Sequence, residues 1–309
     1  MTHYTASFVD ILVTGGAGFI GSNYVRGVLS GRYPEVADAR VTVLDKLTYS
    51  GNLENLRTVR DDPRFRFVQG DIGDAALLAE LVPGHRAIVH FAAESHVDRS
   101  ILGAAPFVTA NVLGTQLLLD AARAAGVDRF VHVSTDEVYG SIDEGAWTED
   151  WPLRPNSPYA ASKAGSDLMA LAAHRTHGMD VVVTRCSNNY GPYQFPEKVI
   201  PLFVTNLLDG RKGPLYGDGG NVRDWLHGGD HCRGGRLLAA CGKDWESVEP
   251  VTDRKGHDRR YALDITKIQH ELGYVPQVDL DSGLAATVRW YAGNRDWWEP
   301  LKARAALAG

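Results

Sequence analysis

The chain has 309 residues, of which 44% are hydrophobic and 23% are charged, and its formal net charge is −6. These values are ordinary for a globular protein and leave room for one large α/β unit and a smaller lobe. The negative charge argues against nucleic acid as a partner, because phosphate neutralisation needs a basic face. The three cysteines have no CxxC spacing, so neither a disulfide framework nor a metal site is expected.

The amino terminus lacks the basic stretch and long apolar run of a signal peptide. No window approaches the roughly 18 consecutive apolar residues that a membrane span requires. We therefore expect a cytoplasmic protein without a membrane partner.

Short apolar runs alternate with helical patterns through the first 185 residues. Strands are predicted over residues 9–13, 41–44, 65–68, 87–91, 130–133 and 181–184. Helices are predicted over residues 74–82, 105–125 and 158–177. Continuous apolar strands separated by helices favour a doubly wound, Rossmann-like α/β fold with a parallel sheet.

After residue 184, Gly, Pro and Asn cluster in loops, with helices predicted over 197–208, 265–272 and 282–292. We interpret residues 1–185 as a dinucleotide-binding domain to which the chain returns near 222–242. Residues 186–309 are interpreted as a substrate-binding lobe.

A glycine-rich turn with Gly15, Gly18 and Gly21 follows the first predicted strand and precedes a predicted helix. Such glycines let the backbone approach a pyrophosphate at the amino end of the helix. Asp45 ends the second strand, where a carboxylate accepts hydrogen bonds from a ribose and repels a 2′-phosphate. This pattern predicts NAD rather than NADP, although the neighbouring Lys46 weakens the preference.

The third and fourth strands also end in residues suited to a cofactor. Asp71 is expected near the adenine, and the small side chains of Ala92 and Ala93 would let the backbone crowd the cofactor. An Ala-Ala pair taken alone more often reflects plain packing.

Tyr159 and Lys163 lie four residues apart in a predicted helix, so both project from one face. A nearby ammonium stabilises a phenolate, which could accept the proton of a sugar hydroxyl. Thr135 ends the fifth strand, and Asp136 and Glu137 follow it. Two carboxyl groups with different pKa values supply an acid and a base, whereas the ordinary alternative is a solvated acidic loop.

Long motifs resemble the extended short-chain dehydrogenase/reductase family and, within it, the dTDP-glucose 4,6-dehydratases. They are VTVLDKLTYSGNLENL, HFAAESHVDRSI, HVSTDEVYGS, SPYAASKAGSDL, SNNYGPYQFPEK, LYGDG, DRKGHDRRYALD and RWYAGNRDWWEPL. The resemblance implies oxidation of the glucosyl C4 with Tyr159 as base and Lys163 on the nicotinamide ribose. It further implies C5 deprotonation by Glu137, C6 hydroxyl protonation by Asp136, and return of hydride to C6.

The resemblance also implies a larger set of contacts than the residue patterns alone give. Cofactor contacts would be Gly15, Gly18, Phe19, Ile20, Gly21, Asp45, Lys46, Leu47, Thr48, Asp71, Ile72, Phe91, Ala92, Ala93, Ser95, Tyr159, Lys163 and Asn189. Substrate contacts would be Ser95, Thr135, Asn188, Lys198, Val199, Pro214, Leu215, Tyr216, Arg223, Asp253, Arg254 and His257. The two arginines suit a diphosphate because guanidinium pairs bidentately with phosphate oxygens. A homodimer through the helices at 105–125 and 158–177 is also implied.

The chain departs from the family pattern between Cys232 and Asp253, where a strand–helix segment is missing. Gly228 and Ala110 also stand where the family tends to have Val and Thr. Three explanations are open: a segment omitted from the written sequence, a shortened active enzyme, or an impaired paralogue. Because loss of a parallel strand would uncover apolar sheet surface, we expect an omitted segment.

Two alternatives to the dehydratase remain at this point. One is a nucleotide-sugar epimerase or decarboxylase on the same scaffold. The other is an inactive protein that only binds NAD or a sugar nucleotide.

Overall fold

Six parallel strands form the main sheet of the computed structural model, which describes residues 9–232, 248–251 and 257–307. Their order is β3-β2-β1-β4-β5-β6. The strands are β1 (Asp10–Thr14), β2 (Arg40–Asp45), β3 (Phe65–Gln69), β4 (Ala87–His90), β5 (Arg129–Thr135) and β6 (Val181–Cys186). This order reverses direction between β1 and β4 and confirms the predicted doubly wound fold.

The chain divides into two units that interleave along the sequence. The first comprises Met1–Glu94, Ala105–Ser134 and Gly165–Thr184, and the second Ser95–Ala104, Thr135–Ala164 and Arg185–Gly309. A single domain boundary after residue 185 therefore stays a prediction.

Successive residues of β1 explain the two covered faces of the sheet. Ile11 and Val13 are buried in one cluster with Val25 and other apolar residues, whereas Leu12 is buried in a second cluster with Leu118. Side chains alternate between the faces of a strand, so a run that is apolar throughout requires cover on both sides.

The helices of the first unit include α1 (Phe19–Leu29), α2 (Ala75–Leu81) and α5 (Thr115–Ala125). Asp74 caps α2 by accepting hydrogen bonds from Ala76 N and Leu77 N. Local polar chemistry thus sets where this helix begins.

The single helix predicted over 105–125 is wrong in its interior. Its course is α4 (Ala105–Phe107), a π-helix (Val108–Gly114) and then α5. The Asn111 side chain accepts a hydrogen bond from Glu94 N at 2.8 Å and donates one to Glu94 O at 3.0 Å. The two hydrogen bonds join Asn111, in the middle of the π-helix, to the segment after β4, and π-helices frequently lie at functional sites.

The second unit carries two small parallel sheets, β7 with β9 and β8 with β10. Their strands are β7 (Asn188–Tyr190), β8 (Gly213–Tyr216), β9 (Trp225–His227) and β10 (Val248–Val251). β10 lies in the stretch for which no strand was expected. Residues 233–247 and 252–256 lie outside the described part of the chain, so the missing segment stays a prediction.

The remaining helices follow in chain order. They are α3 (Val97–Leu102), α6 (Pro158–His177), α7 (Val199–Leu208), α8 (Gly228–His231), α9 (Thr266–Leu272), α10 (Leu280–Gly293) and α11 (Arg295–Leu307). None of the helices in the described residues is long and apolar enough to cross a membrane. The same residues contain no group of three or more His, Cys, Asp or Glu side chains placed to hold a metal ion.

Candidate active site

Three glycines of the turn between β1 and α1 are each required for a different physical reason. Gly15 has a φ of +69°, and a Cβ there would lie 2.5 Å from Ala92 N. A Cβ at Gly21 would lie 2.3 Å from Gly15 O, so the helix packs too closely for a side chain. At Gly18 the nearest atom would be 3.2 Å away, and its missing side chain leaves the amino end of α1 open.

This turn has the properties of an anion site. Gly18 is the N-cap of α1 and has no side chain with which to cap the helix, and the first turn contains no acidic residue. Amino-terminal backbone NH groups and the helix dipole favour a phosphate at such a position. The residues present therefore fit the pyrophosphate of a dinucleotide.

Asp45 is buried at the end of β2, with its carboxylate fixed by the backbone. It accepts hydrogen bonds from Ala17 N at 2.9 Å and from Leu47 N at 2.8 Å. Burial raises the pKa of Asp45, and the two backbone hydrogen bonds partly offset this rise. Because each oxygen has a further lone pair, the carboxylate can still accept ribose hydroxyls.

The residues that follow β2 and β3 meet at Lys46 and Asp71, whose charged groups are 2.6 Å apart. Partial burial of Asp71 raises its pKa, but the Lys46 ammonium and Gly73 N outweigh it, so the pKa is lowered. Lys46 is thus paired with Asp71, which reduces its effect on the choice between NAD and NADP. Leu47 has a φ of +58°, an uncommon backbone conformation that clusters at binding sites.

Ile72 is buried in the apolar core, so any contact it makes with a cofactor uses its backbone. Phe91, Ala92, Ala93 and Ser95 are each partly buried after β4. Phe19 and Ile20 begin α1 and are partly buried, and Thr48 is partly buried in the loop after β2.

Thr135 organises the predicted acid–base group in the second unit. It is the N-cap of a short 3-10 helix (Asp136–Tyr139), where its hydroxyl accepts from Glu137 N at 3.2 Å. The same hydroxyl donates to Asp136 Oδ1 at 3.2 Å and is hydrogen-bonded to the phenol of Tyr159. The Thr135 hydroxyl thus contacts two of the groups that were predicted to move protons, the Asp136 carboxyl and the Tyr159 phenol, and it fixes the backbone of the third residue, Glu137.

The two adjacent carboxyl groups have different surroundings. Asp136 is 1% exposed, whereas Glu137 is only partly buried. Burial raises the pKa of Asp136 well above its ordinary value, and repulsion from Glu137 adds to this rise. Its Oδ2 has no hydrogen-bond partner among the described residues. Asp136 is therefore suited to remain protonated and to donate that proton to a ligand.

Tyr159 and Lys163 are both buried in the first turns of α6. Burial raises the pKa of Tyr159 well above its usual value, and repulsion from Glu137 and Cys186 adds to this, while a hydrogen bond with Thr135 opposes it. The stabilised phenolate expected from the nearby Lys163 is therefore not found in the protein alone, where desolvation is the largest cause of the raised pKa of Tyr159. In this state Tyr159 holds its proton.

Cys186 and Asp224 belong to this group, but the sequence analysis did not single them out. Burial raises the pKa of the Cys186 thiol to about 12, and Asp136 also raises it while Lys163 lowers it. Asp224 raises the pKa of Asp136 and accepts a hydrogen bond from Leu263 N at 3.0 Å. No local pattern marks either residue, because separate segments bring them beside Asp136.

Asn188 and Asn189 follow Cys186 and have different roles in the structure. The Nδ2 atom of Asn188 is buried and has no hydrogen-bond partner among the described residues, which suits a substrate contact. The Asn189 amide donates to Ser187 O at 2.9 Å, and its Oδ1 lies 2.8 Å from His231 Nδ1. Asn189 is therefore held in a fixed orientation.

The second unit brings four of the predicted substrate residues together in two pairs. Lys198 Nζ donates to Ser95 O at 2.9 Å. The rings of Tyr216 and His257 are 6.0 Å apart in an edge-on arrangement. Pro214 and Leu215 precede Tyr216 in β8, and Val199 is exposed at the start of α7.

Within the described part of the chain, Arg223 is held by an aromatic ring and a backbone carbonyl. Its guanidinium lies 4.1 Å from the centre of the Tyr261 ring and donates to Asp258 O at 2.7 Å. It also lowers the pKa of Asp136, which places the two groups within electrostatic reach. Two further predicted substrate contacts, Asp253 and Arg254, lie outside the described residues, so the predicted pairing of Arg254 with Arg223 on a diphosphate stays a prediction.

A Rossmann sheet of this order that carries the glycine-rich turn and the Tyr159–Lys163 pair places the protein in the extended short-chain dehydrogenase/reductase class. Within that class, the chain belongs to the family described as GDP-mannose 4,6 dehydratase, whose model matches residues 12–244.

Individual relatives are similar over almost the whole chain. A dTDP-glucose 4,6-dehydratase from Streptomyces niveus is 58% identical over 94% of this chain and 95% of its own length. One from an Actinoplanes species is 59% identical over 94% of this chain and 100% of its own. A solved structure, that of the dTDP-glucose 4,6-dehydratase DesIV from Streptomyces venezuelae with NAD bound, has 62% sequence identity to this chain and a TM-score of 0.92. The match covers 95% of this chain and 100% of the DesIV chain.

Proposed function

We propose that this protein is an NAD-dependent lyase that converts dTDP-glucose to dTDP-4-keto-6-deoxyglucose in deoxysugar biosynthesis. The observation that carries the proposal is the group around Thr135, whose hydroxyl contacts the buried Asp136 carboxyl, the Tyr159 phenol and the backbone NH of Glu137. The Glu137 carboxylate raises the pKa of both Asp136 and Tyr159, so all three groups lie within electrostatic reach of one another. An oxidation alone needs one base, whereas elimination of water needs an acid and a base in addition. The relatives named as dTDP-glucose 4,6-dehydratases support the choice of substrate.

NAD fits the glycine-rich turn and the fixed carboxylate of Asp45 in the first unit. The task proposed for Lys163, in the second unit, is to hold the nicotinamide ribose. When bound, NAD supplies a hydride acceptor for C4, a hydride donor for C6 and a positive charge on the nicotinamide. Asp45 accepts the hydrogen bonds of the adenosine ribose, and the open amino end of α1 binds the pyrophosphate.

Each residue of the acid–base group has a proposed task. Tyr159 is protonated in the protein alone. As a phenolate, which the positive charge of a bound nicotinamide would favour, it receives the proton of the C4 hydroxyl, with Thr135 orienting that hydroxyl through a hydrogen bond. Glu137, which is less buried than Asp136, removes the C5 proton once C4 is a ketone and returns a proton to C5 when hydride adds to C6. Asp136, held protonated by burial, donates its proton to the departing C6 hydroxyl.

Product analysis tests this proposal directly. The full-length protein is incubated with dTDP-, UDP-, CDP- and GDP-glucose, and the sugar products are identified by NMR and mass spectrometry. We expect loss of one water and a 4-keto-6-deoxy sugar from dTDP-glucose. A change at C4 without loss of water would instead indicate an epimerase, and NAD binding without product would indicate an inactive binding protein.

We also propose that the protein is a homodimer through the π-helix and α6. Val108, Leu113 and Leu168 on these two helices are each more than half exposed. The helices are neighbours, since a Cβ at Gly165 would lie 3.1 Å from a methyl group of Val112. Exposed apolar side chains that cluster on adjacent helices are typical of a subunit interface.

A further inference from the structure

His90, a buried residue of β4 in the first unit, connects three segments of the proposed cofactor site. Its ring is 1% exposed and lies between two buried threonine hydroxyls. The Nδ1 atom is 2.7 Å from Thr14 Oγ1, and the Nε2 atom is 2.9 Å from Thr115 Oγ1. Thr14 ends β1 immediately before the glycine-rich turn, and Thr115 begins α5.

These hydrogen bonds form a connected series that ends at the carbonyl oxygen of Asn111, and this last acceptor sets the direction of the others. The carbonyl oxygen of Asn111 can only accept, so Thr115 Oγ1 donates to it at 2.6 Å. Thr115 must then accept from His90, which places the imidazole proton on Nε2. In a neutral imidazole the Nδ1 atom is then bare and accepts from Thr14 Oγ1, which leaves Thr14 able to accept from Ala92 N at 3.5 Å.

We propose that His90 and Thr14 are positioning residues that set the separation between the glycine-rich turn and the segment after β4. The argument rests on the proposed binding of NAD to these two segments. Gly15 has no room for a Cβ because Ala92 N is so close, so the two segments are in contact across the carboxyl ends of β1 and β4. The hydrogen-bonded chain fixes that contact from within the sheet.

The effect of removing one hydrogen bond from this series follows from the burial of its side chains. Thr14 is fully buried and Thr115 is 1% exposed, so water cannot replace a lost partner. Without the Thr14 hydroxyl, His90 Nδ1 is left without its donor, and the Ala92 NH is left without this acceptor. The segment from Ala92 to Glu94 then loses its fixed distance from the turn while the apolar packing of the sheet is retained.

The test compares Thr14→Val with two controls. Thr14→Ser keeps the hydroxyl, and Thr42→Val makes the same exchange at a buried position of β2. NAD affinity is measured by calorimetry on full-length proteins freed of bound cofactor, well below their melting temperatures. We expect the dissociation constant for NAD to rise about tenfold in Thr14→Val, because removal of a residue that orients a binding site typically weakens binding by about this factor. Both controls should stay within about twofold of the parent protein.

A second measurement does not depend on NAD. Nitrogen-15 NMR of histidine-labelled protein, assigned with a His90→Gln variant, should show a neutral His90 with its proton on Nε2. A proton on Nδ1, or Thr14→Val protein that binds NAD like the parent, would overturn the inference. If the parent protein itself fails to bind NAD, the proposed function fails first.

Discussion

At the scale of single residues, Asp136 and Glu137 are adjacent in the chain but differ in burial and therefore in chemistry. Asp136 is almost fully buried, and its pKa is raised well above the ordinary value by burial and by Glu137. Sequence reasoning identified the pair because two carboxyl groups after a strand are unusual. It could not predict which one is buried, because burial depends on the tertiary packing of the 3-10 helix, whose Val138 and Tyr139 cluster with Trp147 and Tyr261.

Glu137→Gln should stop the reaction after the oxidation at C4, because an amide cannot accept the C5 proton. We expect turnover to fall by a factor of about 10² to 10⁴ while reduced cofactor accumulates on the enzyme. Stopped-flow absorbance follows the cofactor, and deuterium uptake from solvent follows C5. Glu144→Gln, at an exposed position of the next loop, is the control. Exchange at C5 at the parent rate would rule out Glu137 as the base.

Asp136→Asn should abolish dehydration yet stabilise the fold increasingly as the pH rises. The folded-state pKa of Asp136 is raised, so the parent protein loses stability between the unfolded value of 3.8 and that raised pKa. Asparagine does not titrate, so the difference in melting temperature between variant and parent should grow from pH 4 to pH 8. Asp143→Asn on the exposed loop is the control. A difference independent of pH would contradict the raised pKa.

At the scale of elements, the glycine-rich turn joins a strand and a helix that local sequence predicts well. Continuous apolar runs predicted all six strands of the main sheet, and the pattern over 158–177 predicted α6 with its observed ends. The π-helix could not be predicted in this way. Its residue Asn111 is hydrogen-bonded to Glu94, which is 17 positions away in the chain, and a helical period in the sequence contains no sign of such a tertiary contact.

Gly15→Ala should destabilise the first unit much more than Gly31→Ala. Both glycines have a positive φ, which costs an L-residue about 1–2 kcal/mol. A Cβ at Gly31 meets no atom within 4 Å, whereas at Gly15 it would lie 2.5 Å from Ala92 N. Overpacking adds about 1–3 kcal/mol, and urea unfolding followed by circular dichroism measures the difference. Equal losses at the two positions would mean that the backbone at Ala92 moves freely.

At the scale of the whole molecule, the proposed dimer can be tested at one exposed side chain. Leu168→Arg on α6 should give a monomer, because a buried, unpaired guanidinium opposes an apolar interface. Light scattering after gel filtration should give a mass near 33.7 kDa for the variant and twice that for the parent. Leu272→Arg is the matched control, since Leu272 is 76% exposed on α9. A parent protein that is already monomeric would overturn the dimer.

The departure between Cys232 and Asp253 also has a measurable consequence. The match to the Streptomyces niveus relative spans 320 positions but only 94% of this chain, so about 30 positions have no counterpart here. If a segment is omitted from the written sequence, the natural gene product should exceed 33.7 kDa by about 3 kDa. Intact-mass spectrometry measures this, and agreement with 33.7 kDa would show that the short form is the natural one.

The sequence by itself determined the order of strands and helices, the glycine-rich turn and the identity of the chemical groups. These depend on local rules: apolar runs need cover, glycine permits tight backbone, and residues i and i+4 share a helix face. Only the tertiary structure decided which proton each group holds. Protonation depends on desolvation and on charges from distant segments, so the raised pKa of Tyr159, the place of Cys186 and Asp224 beside Asp136, and the hydrogen-bonded chain through His90 required the folded protein.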